Sequence, residues 1–245
     1  MKKSLEYLDN LRNVLNEIAE TQLGAIDACA AAFARTLESG HEIFLFGTGH
    51  SHMLAEELFY RAGGLVRVRP VLETALMLHE SASKSTEMER LPGYAEILFE
   101  SYGMRAGDAI VVISNSGRNG VCVDMALLAK ERGLCVIALT NLRHSRASAS
   151  RHASGKRLFE IADIVLDNRG CIGDASVYFE ELGRNAAPTS TSAGAAILNA
   201  AVAGCIEIML SHGVTPEVFA SSNIDGGDGI NEAFVKKYRG DIRSL

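Results

Sequence analysis

The segment Asp108–Thr140 reads DAIVVISNSGRNGVCVDMALLAKERGLCVIALT, and the fold is organised around it. Its apolar run Ala109–Ile113 is too short for a helix and rich in β-branched residues, which predicts a buried strand. The small polar residues Ser114, Asn115, Ser116 and Gly117 follow at once. Asn119 stands at the N-cap position of a helix that places Val121, Met125 and Leu128 on one face. Gly133 ends that helix, and Leu134–Leu139 supplies a second apolar run. A strand, helix, strand unit of this kind closes right-handed with parallel strands. Ligands of such sheets bind beyond the carboxyl ends of the strands, so Ser114–Asn119 is expected at the mouth of a site. Two serine hydroxyls, a permissive glycine and the free N–H groups of a helix start form a cradle for phosphate. A serine and asparagine turn that only caps the helix is the alternative.

Upstream, Glu42–Phe46 predicts the first strand, leading into Gly47-Thr48-Gly49-His50-Ser51. Two glycines there free the backbone for close approach, and Thr48, His50 and Ser51 offer polar side chains. His52 is assigned to the start of the next helix, His52–Arg61, which carries Glu56 and Glu57. Leu65–Val71 predicts the second strand, with Arg67 and Arg69 on a face open to solvent or an interface. Glu73–Arg90 then gathers Glu73, His79, Glu80, Ser81, Ser83, Lys84, Ser85 and Thr86 after a strand's carboxyl end. That density exceeds what a connector needs. His79 and Glu80 are acid/base candidates there, and Lys84 is a candidate point charge for an anion. Tyr94–Tyr102 predicts a helix, and Ala162–Leu166 the fifth strand.

The loops and their flanking strands are similar to the sugar isomerase (SIS) domain. ISNSGRN, with AKERG and VIALTN behind it, resembles that family's Ser-x-Ser-Gly phosphate loop. FLFGTGHS resembles its first glycine-rich loop, and ADIVLD its last strand. HESASKSTEMERLPGYAE and HSRASASRHASGKRL resemble a group of SIS proteins described as phosphosugar isomerases. The resemblance implies a three-layer α-β-α sandwich on a five-stranded parallel sheet of order 2-1-3-4-5. It also implies that Gly47, Thr48, Gly49, His50 and Ser51 line a sugar whose phosphate lies against Ser114, Asn115, Ser116, Gly117 and Asn119. Phosphoheptose isomerases share this domain and use a glutamate of an AEEL-like helix as an acid/base. By that local match Glu57 becomes the first catalytic candidate, with Glu56 as the alternative because the spacing from the glycine loop is about one turn shorter here.

The 24 basic and 30 acidic residues of this 245-residue chain leave a net charge of −6, which argues against a nucleic-acid surface. Five cysteines without a C-x-x-C pair suggest neither a disulfide framework nor a zinc knuckle, and a reducing cytosol suits them. No metal or organic cofactor is expected. The beginning of the chain lacks the apolar core of a secretory signal. Residues 1–40 carry a stripe of Leu5, Leu8, Leu11, Leu15 and Ile18 continued by Gln22, Ile26, Ala30, Phe33 and Leu37, predicting one long helix or a pair broken near Gly24. Such a stripe outside an α/β core needs covering, which predicts a homodimer or larger self-assembly. Residues 41–212 form the expected single core and 213–245 a tail that is free to reach a neighbouring subunit.

Arg143, Arg146, Arg151, Lys156 and Arg157 crowd one serine-rich loop, to be read as a solvated segment or an anion clamp. Ala193–Leu210 predicts a buried small-residue helix rather than a membrane span. Ser190, Thr191 or Ser192 is expected to cap it, with Thr191 also a candidate donor to the phosphate. NIDGGDG lacks the ligand spacing of a calcium loop. The expected activity is aldose–ketose isomerisation of a sugar phosphate. The alternatives are a non-catalytic sugar-phosphate sensor, or an etherase like those acting on N-acetylmuramic acid 6-phosphate. The etherases carry a DASECPP-like segment where this chain has AEELFYRAGG.

Overall fold

The computed structural model describes residues 2–245. In chain order its elements are α1 (Lys3–Thr21), α2 (Leu23–Glu38), β1 (Ile43–Gly47), α3 (Met53–Leu58), β2 (Val68–Pro70), α4 (Ala82–Met88), α5 (Tyr94–Ser101), β3 (Ala109–Ile113), α6 (Gly120–Glu131) and β4 (Cys135–Thr140). There follow α7 (Leu142–Arg146), β5 (Ile164–Asp167), β6 (Ala175–Phe179), β7 (Arg184–Pro188), α8 (Ser190–Ser211) and α9 (Gly227–Tyr238). The five main strands pair in parallel in the order β2-β1-β3-β4-β5, as expected.

Alternation along the strands builds two cores. Ile43, Leu45, Val111, Ile113, Ile137, Leu139 and Leu166 turn to one face, under α2, α3 and α8. Phe44, Phe46, Ile110, Val112, Val136 and Ala138 turn to the other, under α5 and α6. Phe33, Phe44 and Phe46 are fully buried, each contributing about 2–3 kcal/mol of apolar transfer. Helix α8 has the length and hydropathy of a membrane span. Its Ala193, Ile197, Leu198, Ala201 and Cys205 are nevertheless buried in the first core, and a side chain added at Gly204 would begin 3.0 Å from Ala30 Cβ on α2. Small residues therefore set how closely these two helices approach.

The N-terminal segment is the expected pair broken near Gly24: the break falls at Gln22, whose side-chain oxygen accepts from Asp167 N at 3.1 Å. Other expectations are corrected. The second strand shrinks to three residues, because Leu65 instead bridges antiparallel to Val218. Arg67 and Arg69 do not line an open face: both lie 3.3 Å from the Glu42 carboxylate and are largely buried. The helix after the first loop is limited to Met53–Leu58, preceded by a tight turn over Gly49–His52. The hairpin of β6 and β7 had no counterpart in the sequence reading. It packs against α1, where Asn10 Nδ2 donates to Ser176 O at 2.7 Å and Tyr7 Oη to Pro188 O at 3.1 Å. The tail docks on its own chain, with Phe219 stacked edge-on to Tyr60 and Phe234, and the NIDGGDG stretch runs into α9.

Candidate functional site

The carboxyl ends of β1, β3, β4 and β5 and the start of α8 converge on one mouth. Gly47 ends β1 where an added Cβ would lie 2.7 Å from the carbonyl carbon and oxygen of Ser51. The first loop folds back on its own strand there, and only glycine permits it. Gly47→Ala is expected to cost about 1–3 kcal/mol, read as a lowered midpoint in urea unfolding.

The second loop is shaped from within. The buried Ser114 hydroxyl accepts from Gly117 N at 3.1 Å. Gly117 has φ +60°, and a Cβ there would meet Ser145 Oγ at 3.1 Å and Thr140 Oγ1 at 3.2 Å. Asn115 ties the loop to its neighbours: its carbonyl accepts from Asn141 N at 3.1 Å, and its Oδ1 accepts from Asn168 Nδ2 at 2.8 Å. Ser116 stands half-buried at the tip. His50, Ser51, Asn115, Asn168, Ser190 and Thr191 surround a cavity of about 30 Å³. That space admits a water-sized group, so the bulk of any sugar ring lies outside it in this conformation.

Helix α8 is capped differently from the expectation. Thr189 is its N-cap residue, and the capping carboxylate comes from Asp174. Asp174 accepts from Thr189 N at 3.2 Å, from Ser190 N at 2.9 Å and from the Ser190 hydroxyl at 2.6 Å. The positive end of this helix therefore already faces an acid.

Asn119 is the N-cap residue of α6, but its side chain does not cap the helix. Its Nδ2 donates instead to Glu89 Oε1 at 2.9 Å. The other carboxylate oxygen of Glu89 accepts from Thr48 Oγ1 at 2.9 Å. A half-buried acid is thus held between the first glycine loop and the phosphate-type loop. Sequence reading had singled out Glu73–Arg90 as too rich in polar groups for a connector, but it named other members of it. The nearest local signal is the position of Glu89 just before the Pro92-Gly93 break, where the chain turns across the start of α6 and Val121 N donates to Glu89 O at 3.0 Å. Beside it, burial pushes the Cys122 thiol up to about 12, with the Glu89 charge adding to the effect. Cys122 is therefore no nucleophile at neutral pH.

Of the three catalytic candidates from sequence, Glu57 and Glu80 take their partners away from the mouth, and His79 lies beside the first loop. Glu57 contacts Arg61 and accepts from Asn199 Nδ2 at 3.0 Å. Asn199 lies nine residues beyond Ser190 on α8, about 13 Å along the helix axis. Glu56 is exposed, 3.8 Å from His52 Nε2. His52 is buried, bonded to Gly49 O and edge-on to the His79 ring with centroids 5.9 Å apart. Glu80 pairs with Lys84 at 2.9 Å on the surface, and the ammonium holds the carboxyl below its usual range. Much of the basic loop is also engaged. Arg143 pairs with Glu17 at 2.6 Å, Arg157 with Glu160 at 3.0 Å, and Arg146 lies over the Phe159 ring.

The SIS domain model matches residues 6–141, more than half of the chain, and the chain belongs to the SIS-domain family. It is 41% identical over 233 residues to the UPF0309 protein BH0227 of Halalkalibacterium halodurans, covering 95% of this chain and 93% of that one. Phosphoheptose isomerase GmhA from Neisseria gonorrhoeae superposes with a TM-score of 0.54 at 17% identity, over 86% of this chain and 98% of that one. The Vibrio vulnificus NanR protein, solved with ManNAc-6P, superposes with a TM-score of 0.50 at 15% identity, over 99% of this chain and 69% of that one. At these identities the structural likeness establishes the fold.

Proposed function

We propose that this chain binds a sugar phosphate at the Ser114–Asn119 loop and interconverts its aldose and ketose forms, with Glu89 as the proton-transferring base. The observation that carries this reading is the Glu89 carboxylate held by Thr48 from one loop and Asn119 from the other. In the reaction the base takes the proton from the carbon beside the carbonyl, the C–H electrons form the enediol double bond, and the carbonyl oxygen takes a proton from an acid. The first proton then returns to the former carbonyl carbon while the other enediol hydroxyl gives up its proton and becomes the new carbonyl, which restores the acid and completes the isomerisation. Gly47, Thr48, Gly49, His50, Ser51, Ser114, Asn115, Ser116, Gly117, Asn119 and Thr191 form the proposed ligand surround. Of the earlier candidates His79, through its contact with His52 at the first loop, is preferred as the second acid/base group. Glu57 and Glu80 follow. A fold neighbour of the phosphoheptose isomerase class supports the reading.

The test is proton NMR in D2O with a panel of hexose, heptose and 2-amino-sugar phosphates. Exchange at the carbon next to the carbonyl is the expected result. A sensor is the second reading, favoured by the fold shared with NanR. It predicts a raised melting temperature with one sugar phosphate and no exchange with any. Elimination of a lactyl group from an ether-bearing sugar phosphate, in place of exchange, would instead support the etherase alternative.

The same proposal makes the protein a cytoplasmic homodimer in which residues 1–40 pair, residues 41–212 hold the site and residues 213–245 form a C-terminal tail. Leu5 and Leu8 on α1 are 47% and 54% exposed, an apolar stripe that a second copy would cover. Replacing both with glutamate is expected to turn a dimer into a monomer in sedimentation equilibrium. An unchanged mass would remove α1 from the interface.

A further inference from the structure

We infer that the basic segment 148–157 is a strap that positions the Glu89 carboxylate through Asn119, with Arg151 as the positioning residue. The inference rests on the isomerase reading for its purpose but on separate contacts for its geometry. Arg151 Nη1 donates to Asn119 Oδ1 at 3.3 Å, while the Nδ2 of the same amide donates to Glu89 at 2.9 Å. The series therefore runs from guanidinium through amide to carboxylate, and ends at the Thr48 hydroxyl.

An asparagine amide in this setting has one acceptable orientation. Turned over, it would set its carbonyl against the carboxylate and its NH2 group against the guanidinium, and both contacts repel. Charge at each end makes these hydrogen bonds stronger than neutral ones. Since Nδ2 carries two hydrogens and Glu89 uses one, the other is left for a ligand oxygen. Asn119 thereby connects a bound anion to the base.

The strap is fastened to the phosphate-type loop itself. Arg151 N donates to Arg118 O at 3.0 Å, and at the far end Leu158 N donates to Gly117 O at 2.8 Å. Within the strap His152 Nε2 meets Asp124 Oδ1 on α6 at 2.7 Å, and Ser150 Oγ donates to Lys156 O at 2.7 Å. Backbone bonds to two successive loop residues fix the register at which Arg151 reaches Asn119. The neighbouring Arg143 and Arg157 are occupied by carboxylates. Arg151 is the cation of this segment that reaches an amide of the site.

The test reads the Asn119 side-chain amide in 1H–15N spectra of the full chain, identified by its loss in Asn119→Ala. Its hydrogen-bonded proton is expected to exchange with water at least about tenfold faster in Arg151→Gln, and to stay slow in Arg151→Lys, which keeps a cationic donor. His152→Ala removes the Asp124 contact but leaves both backbone bonds of the strap, and is expected to quicken the exchange less than Arg151→Gln does. Inorganic phosphate should bind Arg151→Gln within about twofold of the unaltered protein. An Asn119 amide unmoved by Arg151→Gln would overturn the inference. So would a tenfold loss of phosphate affinity in Arg151→Gln, because Arg151 would then be an anion ligand. None of these readings needs turnover, so their failure is distinct from failure of the isomerase reading, which Glu89→Gln tests.

Discussion

Glu89→Gln is expected to lower carbon-bound proton exchange by about 10²- to 10⁴-fold, the range associated with losing a positioned acid/base group, while leaving sugar-phosphate binding largely intact. Glutamine has the shape of glutamate. Its amide oxygen accepts from Asn119, and its NH2 group donates to the Thr48 hydroxyl once that hydroxyl turns to accept. Both bonds seen at 2.9 Å therefore survive in altered polarity, and the two loops keep their spacing. Proton transfer alone is removed. Thermal shift with sugar phosphate measures the binding, and exchange in D2O measures the chemistry. Exchange at the unaltered rate in Glu89→Gln would eliminate Glu89 as the base and return Glu57 and His79 to the front.

Ser116→Asp is expected to abolish binding of phosphate and of every phosphorylated sugar. Two unit charges 4 Å apart near a protein surface repel by about 4 kcal/mol, and phosphate carries more than one charge. The loss should exceed about 100-fold by calorimetry. Ser116→Ala should lose about tenfold or less, the value of one hydrogen bond. Ser116 is half-buried at the loop tip, whereas the buried Ser114 spends its hydroxyl on Gly117 N. Fold damage is therefore expected from changes at Ser114 and a clean binding defect from changes at Ser116. Phosphate bound equally by Ser116→Asp would remove the loop from the ligand site.

How much of this was legible from the sequence follows from the range of each interaction. Strands β1, β3, β4 and β5 lie in apolar runs bounded by polar turns, and the loops at their carboxyl ends carry the family pattern within single short segments. The Glu73–Arg90 segment could be recognised as unusual because composition is local. Glu89 could not be chosen within it, since its two partners, Thr48 and Asn119, lie 41 and 30 residues away. The same holds for α8. A serine- and threonine-rich start predicts self-capping, but Asp174, brought in by the unforeseen hairpin, outcompetes those hydroxyls with a full charge. Arg67 and Arg69 alternate like residues of an open strand face, yet they meet Glu42 only because β1 and β2 pair side by side.

Strands β1, β3, β4 and β5 and the two glycine- and serine-bearing loops were legible because hydrophobic period and turn chemistry act over a few residues, and the order of the sheet came with the family resemblance. Which acid stands between those loops, which carboxylate caps α8 and which of the clustered arginines reaches Asn119 became visible in the folded chain alone. Each of these depends on hydrogen bonds and charges brought together from distant parts of the chain, where direction and distance within about an ångström select the partner.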